Sequence, residues 1–335
     1  MTHMVPSKAL EIYLESRENE VTKDTLYSHK SRLGHFVRWC ELKEIEEVGE
    51  IERGDLHDYR IWRRNDGDLS KVSEKTQMDT LRVFIRRLEK IGHVQEDLSH
   101  AVISPTLSGE EKKNTDIVNP DEAESILQTL DKYHYSSRLH AFFTLAWRTG
   151  MRTSGLRSID LSDVFLSESY ITVSNRPEVD ARLKNGARGE RHIAIHDDTV
   201  EVLEDYIERN RKEVTDSWGR EPLLSTQQGR PHAGTIRNWA YAVTRPCFHA
   251  NNCPHSREES ECTAAQDISE GYGCPSSTAA HSIRRGSITN MLQNDIPVRA
   301  VSDRCNVSEE VLDAHYDARS NQQKMEQRRK FINSF

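Results

Sequence analysis

The sequence of 335 residues lacks any apolar run long enough to span a bilayer, and its first stretch, MTHMVPSKALEIYLESRENE, lacks the apolar core of a signal peptide. Internal repeats and low-complexity tracts are missing as well. Hydrophobic residues make up 35% of the chain and charged residues 30%, which is a polar composition that still folds. We therefore expect an intracellular, cytoplasmic protein of two to three domains with no membrane partner.

A positive net charge is also missing, since the chain carries a formal charge of −8. This acidic excess counts weakly against nucleic-acid binding, which needs clustered Lys and Arg. The distribution of charge matters more than the total, because an acidic, salt-adapted surface can coexist with a basic groove. The net charge therefore leaves a DNA-binding protein open.

Cysteine is scarce outside one short stretch. Four of the six cysteines lie close together in that stretch. In an intracellular protein, this crowding favours a metal site or a reduced cluster over a disulfide framework. The gaps are looser than in Cys-x-x-Cys fingers, and His249 or His255 can replace one ligand. We predict a structural zinc ion, with four reduced cysteines in a partly ordered loop as the alternative. The predicted ligands are Cys247, Cys253, Cys262 and Cys274.

Helical periodicity predicts four helices between residue 6 and about residue 95. On the second helix, Lys23, Lys30 and Arg32 lie away from the apolar stripe, which suits a DNA-facing surface. A plain helical bundle with solvated charges is the alternative. We assign residues 1–100 to a helical DNA-binding domain and residues 101–118 to a linker, where Pro105 and Gly109 interrupt the pattern.

The second predicted domain covers residues 119–335, with a Cys-rich insertion at about 245–276. Asn119 can cap its first helix, and Pro120 suits the first turn. The stretches YITV and RHIAI alternate around a Lys-Asn-Gly turn, which predicts a small antiparallel hairpin or three-stranded sheet. The fold class is therefore mainly α with a small antiparallel β-sheet.

Arginines in two predicted helices have the chemistry to bind phosphate. Arg152 lies at the mouth of a helix in TGMRTSGLRSI, where a guanidinium can hold two non-bridging oxygens. In HSIRR, the i,i+3 spacing of His281 and Arg284 puts both on one helix face. Arg285 points elsewhere and is expected to be structural or to contact the DNA backbone.

Lys184 and Tyr316 extend this set. Lys184, in RLKNG, can reach a phosphate as a mobile acid, and Arg182 and Arg188 compete for that role. Tyr316 follows an amphipathic run. A phenol is a poor nucleophile at neutral pH because its reference pKa is about 10, but nearby cations and a base can lower the barrier for its attack.

The order of these residues, Arg, Lys, His-x-x-Arg and a late Tyr, resembles the tyrosine recombinases (the integrase family), especially their archaeal, haloarchaeal-like branch. TGMRTSGLRSIDLSDV, AHSIRRGSITNML and VSEEVLDAHYD resemble the boxes of that family. The motifs lie within residues 119–335, whereas residues 6–95 match by helical pattern only. The resemblance implies a helical, SAM-like core-binding domain and a catalytic domain that clamp double-stranded DNA.

The resemblance also implies the reaction. A site-specific recombinase or integrase would cleave and rejoin strands through a 3′-phosphotyrosyl link to Tyr316. Arg152 and Arg284 would stabilise the non-bridging oxygens, Lys184 would protonate the 5′-oxygen, and His281 would assist proton transfer. No ATP or catalytic cofactor is expected. A DNA-dependent homo-oligomer, a tetramer, is expected too. The basic C-terminal helix after Tyr316 would dock on a neighbouring subunit, with a solvated terminal helix as the alternative.

The sequence departs from the family at two positions. Gly155 stands where an acidic residue usually follows the first arginine. A second histidine or Trp usually precedes the tyrosine by about nine residues, and none does here. Arg304 and Asn306 are the candidates for that role, and we favour Arg304 because it can donate a hydrogen bond to phosphate. His315 is adjacent to the tyrosine and would point differently.

Three alternatives to a recombinase remain open at this point. A type IB topoisomerase shares the covalent chemistry without partner exchange, although the short helical N-terminal block favours the recombinase. A DNA-binding protein that kept the scaffold and lost catalysis fits the two departures. A zinc-binding adaptor would depend on Cys247 rather than on Tyr316.

Overall fold

The computed structural model describes residues 3–108, 111, 116–316, 322, 325, 326 and 329. The chain divides into two units, Met1–Asn114 and Thr115–Phe335. Parts of the predicted linker and most of the basic helix predicted after Tyr316 lie outside the described residues. Within the described ranges, no helix is both long enough and apolar enough to cross a bilayer.

Four α-helices form most of the first unit, as the periodicity predicted. Pro6 occupies the first turn of its helix, where no backbone N–H is needed. The hydroxyls of Thr22 and Ser70 cap two others by accepting hydrogen bonds from backbone N–H groups. The helices are α1 (Pro6–Arg17), α2 (Lys23–Leu42), α3 (Arg53–Asp66) and α4 (Lys71–Lys90).

Aromatic side chains from these helices form the core of the first unit. The rings of Phe36 and Tyr59 meet edge to face with centroids 4.9 Å apart, and Tyr13 meets Phe84 in the same way at 5.3 Å. This geometry is favourable for aromatic pairs beyond the burial of area. All four side chains are 1% exposed, so the apolar stripes read from the sequence close on one another.

Among the described residues, the second unit contains ten further α-helices and three strands. Its helices are α5 (Pro120–Tyr133), α6 (Arg138–Thr149), α7 (Thr153–Ser158), α8 (Asp197–Asp205), α9 (Ala233–Val243), α10 (Pro246–Ala250), α11 (Thr263–Gln266), α12 (Ala280–Gln293), α13 (Val298–Cys305) and α14 (Glu309–His315). Its strands are β1 (Val164–Phe165), β2 (Tyr170–Val173) and β3 (Arg191–Ala194). Helix α6 is buried along most of its length, and α12 packs against it.

The strands form one antiparallel sheet in the order β1-β2-β3, which confirms the predicted fold class. Ile171 pairs with Ile193, and both side chains are buried. The connection from β2 to β3 spans residues 174–190 and contains two 3₁₀ turns, so it is longer than a tight hairpin turn. Lys184 lies on this connection and is exposed.

A buried ion-pair network lies on one side of this connection. Asp160 accepts from Arg230 and pairs with Arg176, whose Nε lies 2.8 Å from its carboxylate. Arg230 also pairs with Asp216 at 2.8 Å, and the side chain of Arg230 is 4% exposed. A buried carboxylate shared by two guanidiniums keeps both cations compensated.

Replacing Asp160 by Ala should lower the free energy of unfolding by about 3–5 kcal/mol, because it leaves two buried guanidiniums short of a counter-charge. The matched control is Asp198→Ala, which breaks a surface pair with Arg148 and should cost about 1 kcal/mol or less. Urea unfolding of the full chain, followed by circular dichroism, measures both. Equal losses in the two variants would contradict a structural role for the network.

Candidate active site

Arg152 and Arg284, the two predicted phosphate-binding arginines, lie close together although they are far apart in the sequence. Arg152 is the N-cap of α7 and follows the end of α6, where Gly150 has a left-handed conformation with φ of 61°. Arg284 faces inward from α12 and is 1% exposed. Burial first, and then the charge of Arg284, lower the pKa of Arg152 to about 10, so Arg152 keeps its charge at neutral pH.

Three consecutive backbone carbonyls at the end of α13 each accept a hydrogen bond from a different arginine. The C-terminal end of a helix carries partial negative charge, which favours cations there. The donors come from β3, α12 and the N-cap of α7, so one short segment gathers guanidiniums from three elements. The bonds are Arg191 Nε to Arg304 O (2.8 Å), Arg284 Nη1 to Cys305 O (2.9 Å) and Arg152 Nη1 to Asn306 O (2.7 Å).

Arg191 is the arginine of this cluster that the sequence reading missed. It is the first residue of β3, and burial lowers its pKa to about 10, with Arg284 and Arg152 acting in the same direction. The missed signal is the alternation of the strand, because Arg191 shares the inward face with Ile193. A cation at an inward position next to a buried apolar residue indicates a buried partner or an anionic ligand.

Two nitrogens of the Arg284 guanidinium donate no hydrogen bond to any described residue. Its Nη1 donates to the carbonyls of Gly150 and Cys305, whereas its Nε and Nη2 are buried and have no hydrogen-bond partner among the described residues. A buried charged donor without an acceptor is costly. A doubly coordinated oxyanion such as a phosphate diester is the ligand that satisfies such a fork.

His281 and Lys184 lie beside the arginines. The pKa of His281 is lowered to about 4, first by desolvation and then by four neighbouring cations. Although the residue as a whole is exposed, the neighbouring cations favour the neutral imidazole in the same direction as desolvation does. At pH 7 the imidazole is neutral and can accept a proton. The four cations are Arg285, Arg284, Arg152 and Lys184.

The titration of His281 tests this arrangement. The folded chain binds fewer protons than the unfolded chain between pH 6.5 and about pH 4, so stability falls as the pH drops through that window. We expect the NMR signal of His281, assigned with His281→Gln, to titrate near pH 4 in the DNA-free protein. Arg285→Gln should move the midpoint upward, because it removes the largest of the four charge effects on His281. A wild-type midpoint near 6.5 would contradict the clustering of cations.

Tyr316 follows α14 at the edge of the same cluster. Its N–H donates to the carbonyl of Leu312 (2.9 Å), and its half-buried side chain packs against the apolar residues that join α12, α13 and α14. The charge interaction of the phenol with Arg152 raises the pKa of that guanidinium, which places the two groups within electrostatic range. The side chain of His315 lies outside the described residues.

Arg304, favoured on sequence as a donor to phosphate, contacts two backbone carbonyls. Its Nη1 donates to the carbonyl of Ala194 (2.7 Å) and its Nη2 to that of Arg148 (2.9 Å), so the guanidinium joins α13 to β3 and α6. The residue nine positions before Tyr316 is Val307, which is buried in an apolar cluster. Arg304 therefore joins three elements of the fold, and its role as a donor to phosphate stays a prediction.

The other departure, Gly155, lies in an apolar setting. A Cβ at this position would meet the sulfur of Met151 at 3.6 Å and the side chain of Val173 at 3.7 Å. Both distances are ordinary van der Waals contacts. Helix α7 has no Asp or Glu, so it carries no acidic side chain in place of the residue that Gly155 replaces.

The predicted DNA contacts differ in their surroundings. Lys23 and Lys30 are exposed on α2. Arg32 is partly buried, and its Nη1 donates to the hydroxyl of Thr80 (3.2 Å), which fixes its side chain against α4. Arg285 is partly buried on α12 and acts on the pKa of His281.

The predicted zinc site is not supported. Among the residues that the structure describes, no three or more His, Cys, Asp or Glu side chains are placed to hold a metal ion, and all four predicted cysteine ligands are free thiols. The insertion is held by packing instead, because its segments lie against α9 and α5. Arg245 donates to the carbonyl of Ala242 (3.0 Å), and Ser125 donates to that of His249 (3.0 Å).

Comparison with known proteins agrees with this geometry. The model of the phage integrase family matches residues 116–311. A probable integrase/recombinase protein of Methanocaldococcus jannaschii is 22% identical over 292 residues, which cover 86% of this chain and 79% of that protein. The tyrosine recombinase XerD of Listeria monocytogenes is 21% identical over 288 residues, which cover 85% of this chain and 84% of XerD.

Solved structures share the fold. A lambda integrase dimer bound to a COC′ core site matches with a TM-score of 0.65 and 16% identity, over 95% of this chain and 79% of that chain. The Tn1549 transposon integrase in complex with a circular intermediate DNA matches with a TM-score of 0.67 and 14% identity, over 97% of this chain and 99% of that chain.

Proposed function

The chain belongs to the phage integrase family and is a site-specific recombinase, and we propose that it cleaves and rejoins DNA strands through Tyr316. The observation that carries this proposal is the buried guanidinium of Arg284, whose Nε and Nη2 lack acceptors beside Arg152. A scissile phosphate supplies acceptors to both arginines. Tyr316 lies within electrostatic range of Arg152, so the nucleophile and the phosphate-binding group belong to one site.

The proposed cleavage step balances without a further reactant. The phenol oxygen of Tyr316 attacks phosphorus, the bond from phosphorus to the 5′-oxygen breaks, and a 3′-phosphotyrosyl link forms. Neutral His281 accepts the phenol proton, and Lys184 protonates the 5′-oxygen. Arg152 and Arg284 stabilise the charge that develops on the non-bridging oxygens.

Rejoining reverses these roles. The free 5′-hydroxyl of the same or of another strand attacks phosphorus and gives its proton to Lys184. The bond from phosphorus to Tyr316 breaks, and the phenolate takes its proton back from His281. Because the covalent link conserves the energy of the phosphodiester bond, no ATP is needed. Strand exchange between two duplexes then needs two or more subunits on DNA, and we propose a tetramer.

Double-stranded DNA is the proposed partner. The solved lambda and Tn1549 integrases were both bound to DNA, which supports the same ligand for this chain. Exposed Lys23 and Lys30 on α2 are proposed phosphate contacts of the first unit. Such contacts would make binding weaker as salt concentration rises.

Strand exchange between two duplexes of different length tests the proposal. Binding-site selection from random duplexes supplies the substrate, since the natural target is not encoded in the fold. A recombinase yields products of recombinant length. Relaxation of supercoiled DNA without recombinant products would favour the topoisomerase alternative, and binding without any cleavage would favour the inert alternative.

A further inference from the structure

Asn306 links the arginine cluster to the connection that carries Lys184. It caps the C-terminal end of α13 in the left-handed conformation, with φ of 49°, which asparagine tolerates better than most residues. Its backbone carbonyl accepts from Nη1 of Arg152 (2.7 Å), and its side-chain Oδ1 accepts from Nδ2 of Asn185 (2.8 Å). Asn185 directly follows Lys184 in the chain.

The fit around this side chain is close. A Cβ on Gly189 would lie 2.7 Å from Nδ2 of Asn306, so a side chain at residue 189 would displace the amide. The connection has its own internal bonds, because Oδ1 of Asn175 accepts from the N–H of Leu183 (2.9 Å). The bond from Asn185 to Asn306 fixes this connection, next to Lys184, to the segment that leads into α14.

Lys184 needs such a tether. Its ammonium stands on a flexible four-carbon stem, and its side chain is exposed, so its position depends on where the backbone is held. It nevertheless acts on the pKa of His281, which places its charge near the reacting groups. A displacement of about 1 Å in such a group can cost roughly 10²-fold in rate.

We propose that Asn306 is a positioning residue, which sets Lys184 relative to Arg152 so that the acid and the phosphate-binding arginine meet the same phosphodiester. This inference rests on the proposed role of Lys184 as the general acid. It differs from the role considered for Asn306 on sequence, since the side chain acts through Asn185 and not on phosphate.

A substrate with sulfur in place of the bridging 5′-oxygen separates positioning of the acid from other defects. A thiolate is a much better leaving group than an alkoxide and leaves without protonation. A variant that lacks only the acid therefore cleaves this substrate almost as fast as the wild type. A variant with a damaged phosphate site or a damaged fold stays slow on both substrates.

The variants are Asn306→Gly, which keeps the left-handed backbone and the carbonyl for Arg152, and Asn185→Ala, which removes the same bond from the other side. Lys184→Ala is the reference for loss of the acid. On ordinary DNA we expect single-turnover cleavage to fall about 10²- to 10⁴-fold for Lys184→Ala, as for loss of a general acid. The two asparagine variants should fall by roughly 10-fold to 10²-fold.

On the sulfur substrate, all three variants should recover. Rescue of Lys184→Ala without rescue of Asn306→Gly and Asn185→Ala would overturn the positioning role of Asn306 and leave the proposed function intact. The same conclusion follows if the asparagine variants cleave ordinary DNA at the wild-type rate. Failure of Lys184→Ala to recover would overturn the proposed acid itself. Thermal unfolding of each variant verifies that it is folded. If Asn306→Gly does not fold, Asn185→Ala still tests the same hydrogen bond.

Discussion

Replacing Tyr316 by Phe should abolish the covalent attachment of DNA and leave duplex binding in place. The change removes the one atom that attacks phosphorus, while the ring still fills its place against the apolar residues of α12, α13 and α14. Loss of an enzyme nucleophile lowers turnover on the order of 10⁶-fold. Denaturing gels of single-turnover reactions on a nicked duplex measure the adduct, and gel shifts on the same duplex measure binding.

The control for this prediction is Tyr272→Phe, which also removes one phenol oxygen. Tyr272 is exposed in the Cys-rich insertion and takes no part in the cluster around Arg152. It should form the adduct at the wild-type rate. A covalent adduct that survives in Tyr316→Phe would show that another residue is the nucleophile.

Replacing Arg284 by Lys should lower the rate of cleavage roughly 10²- to 10³-fold, the range for removal of one preorganised donor to a developing oxyanion. Lysine keeps the charge but cannot span the carbonyls of Gly150 and Cys305 and still present two donors to phosphate. Quenched-flow or gel-based single-turnover assays measure the rate, with Arg209→Lys, at an exposed surface pair, as the control.

A modified substrate tells loss of charge stabilisation from loss of structure in this variant. A methyl group in place of one non-bridging oxygen at the scissile phosphate removes the negative charge that Arg284 is proposed to stabilise. The gap between wild type and Arg284→Lys should then shrink. An undiminished gap on the neutral substrate would mean that Arg284 acts through the frame and not on the phosphate.

The features of this site that depend on residue type and spacing could be predicted from the sequence. The i,i+3 spacing of His281 and Arg284 identified one face of α12, and Gly150 marked the end of α6 ahead of Arg152. Apolar stripes at helical spacing were enough to predict the four helices of the first unit. These features are local, and local patterns fix them.

Features that depend on long-range contacts could not be predicted from local sequence patterns. Arg191 becomes part of the cluster only because α13 ends beside β3, where the carbonyl of Arg304 accepts a hydrogen bond from Nε of Arg191. The choice of Arg304 over Asn306 rested on donor chemistry, whereas the contacts of Arg304 with two backbone carbonyls depend on how α13 packs against β3 and α6. A small antiparallel hairpin or three-stranded sheet around a Lys-Asn-Gly turn was predicted. The three-stranded sheet is present, and β2 and β3 pair across the longer connection of residues 174–190.

The zinc prediction rested on cysteine crowding, and the described residues do not support it. Four thiols within one stretch satisfy the composition of a zinc site, but coordination requires them to converge on one point. In the described part of the insertion the chain is anchored by Arg245, by Ser125 and by packing on α9, and no metal-binding group of three or more side chains results.

The measurement that tests the central claim most directly is the identity of the residue that carries DNA. The wild-type protein is incubated with a nicked duplex chosen by binding-site selection, digested with a protease and a nuclease, and examined by mass spectrometry for a nucleotide adduct. We expect the adduct on the peptide that contains Tyr316, joined through a 3′-phosphate. An adduct on any other residue, or a bound duplex with no adduct, would contradict the account.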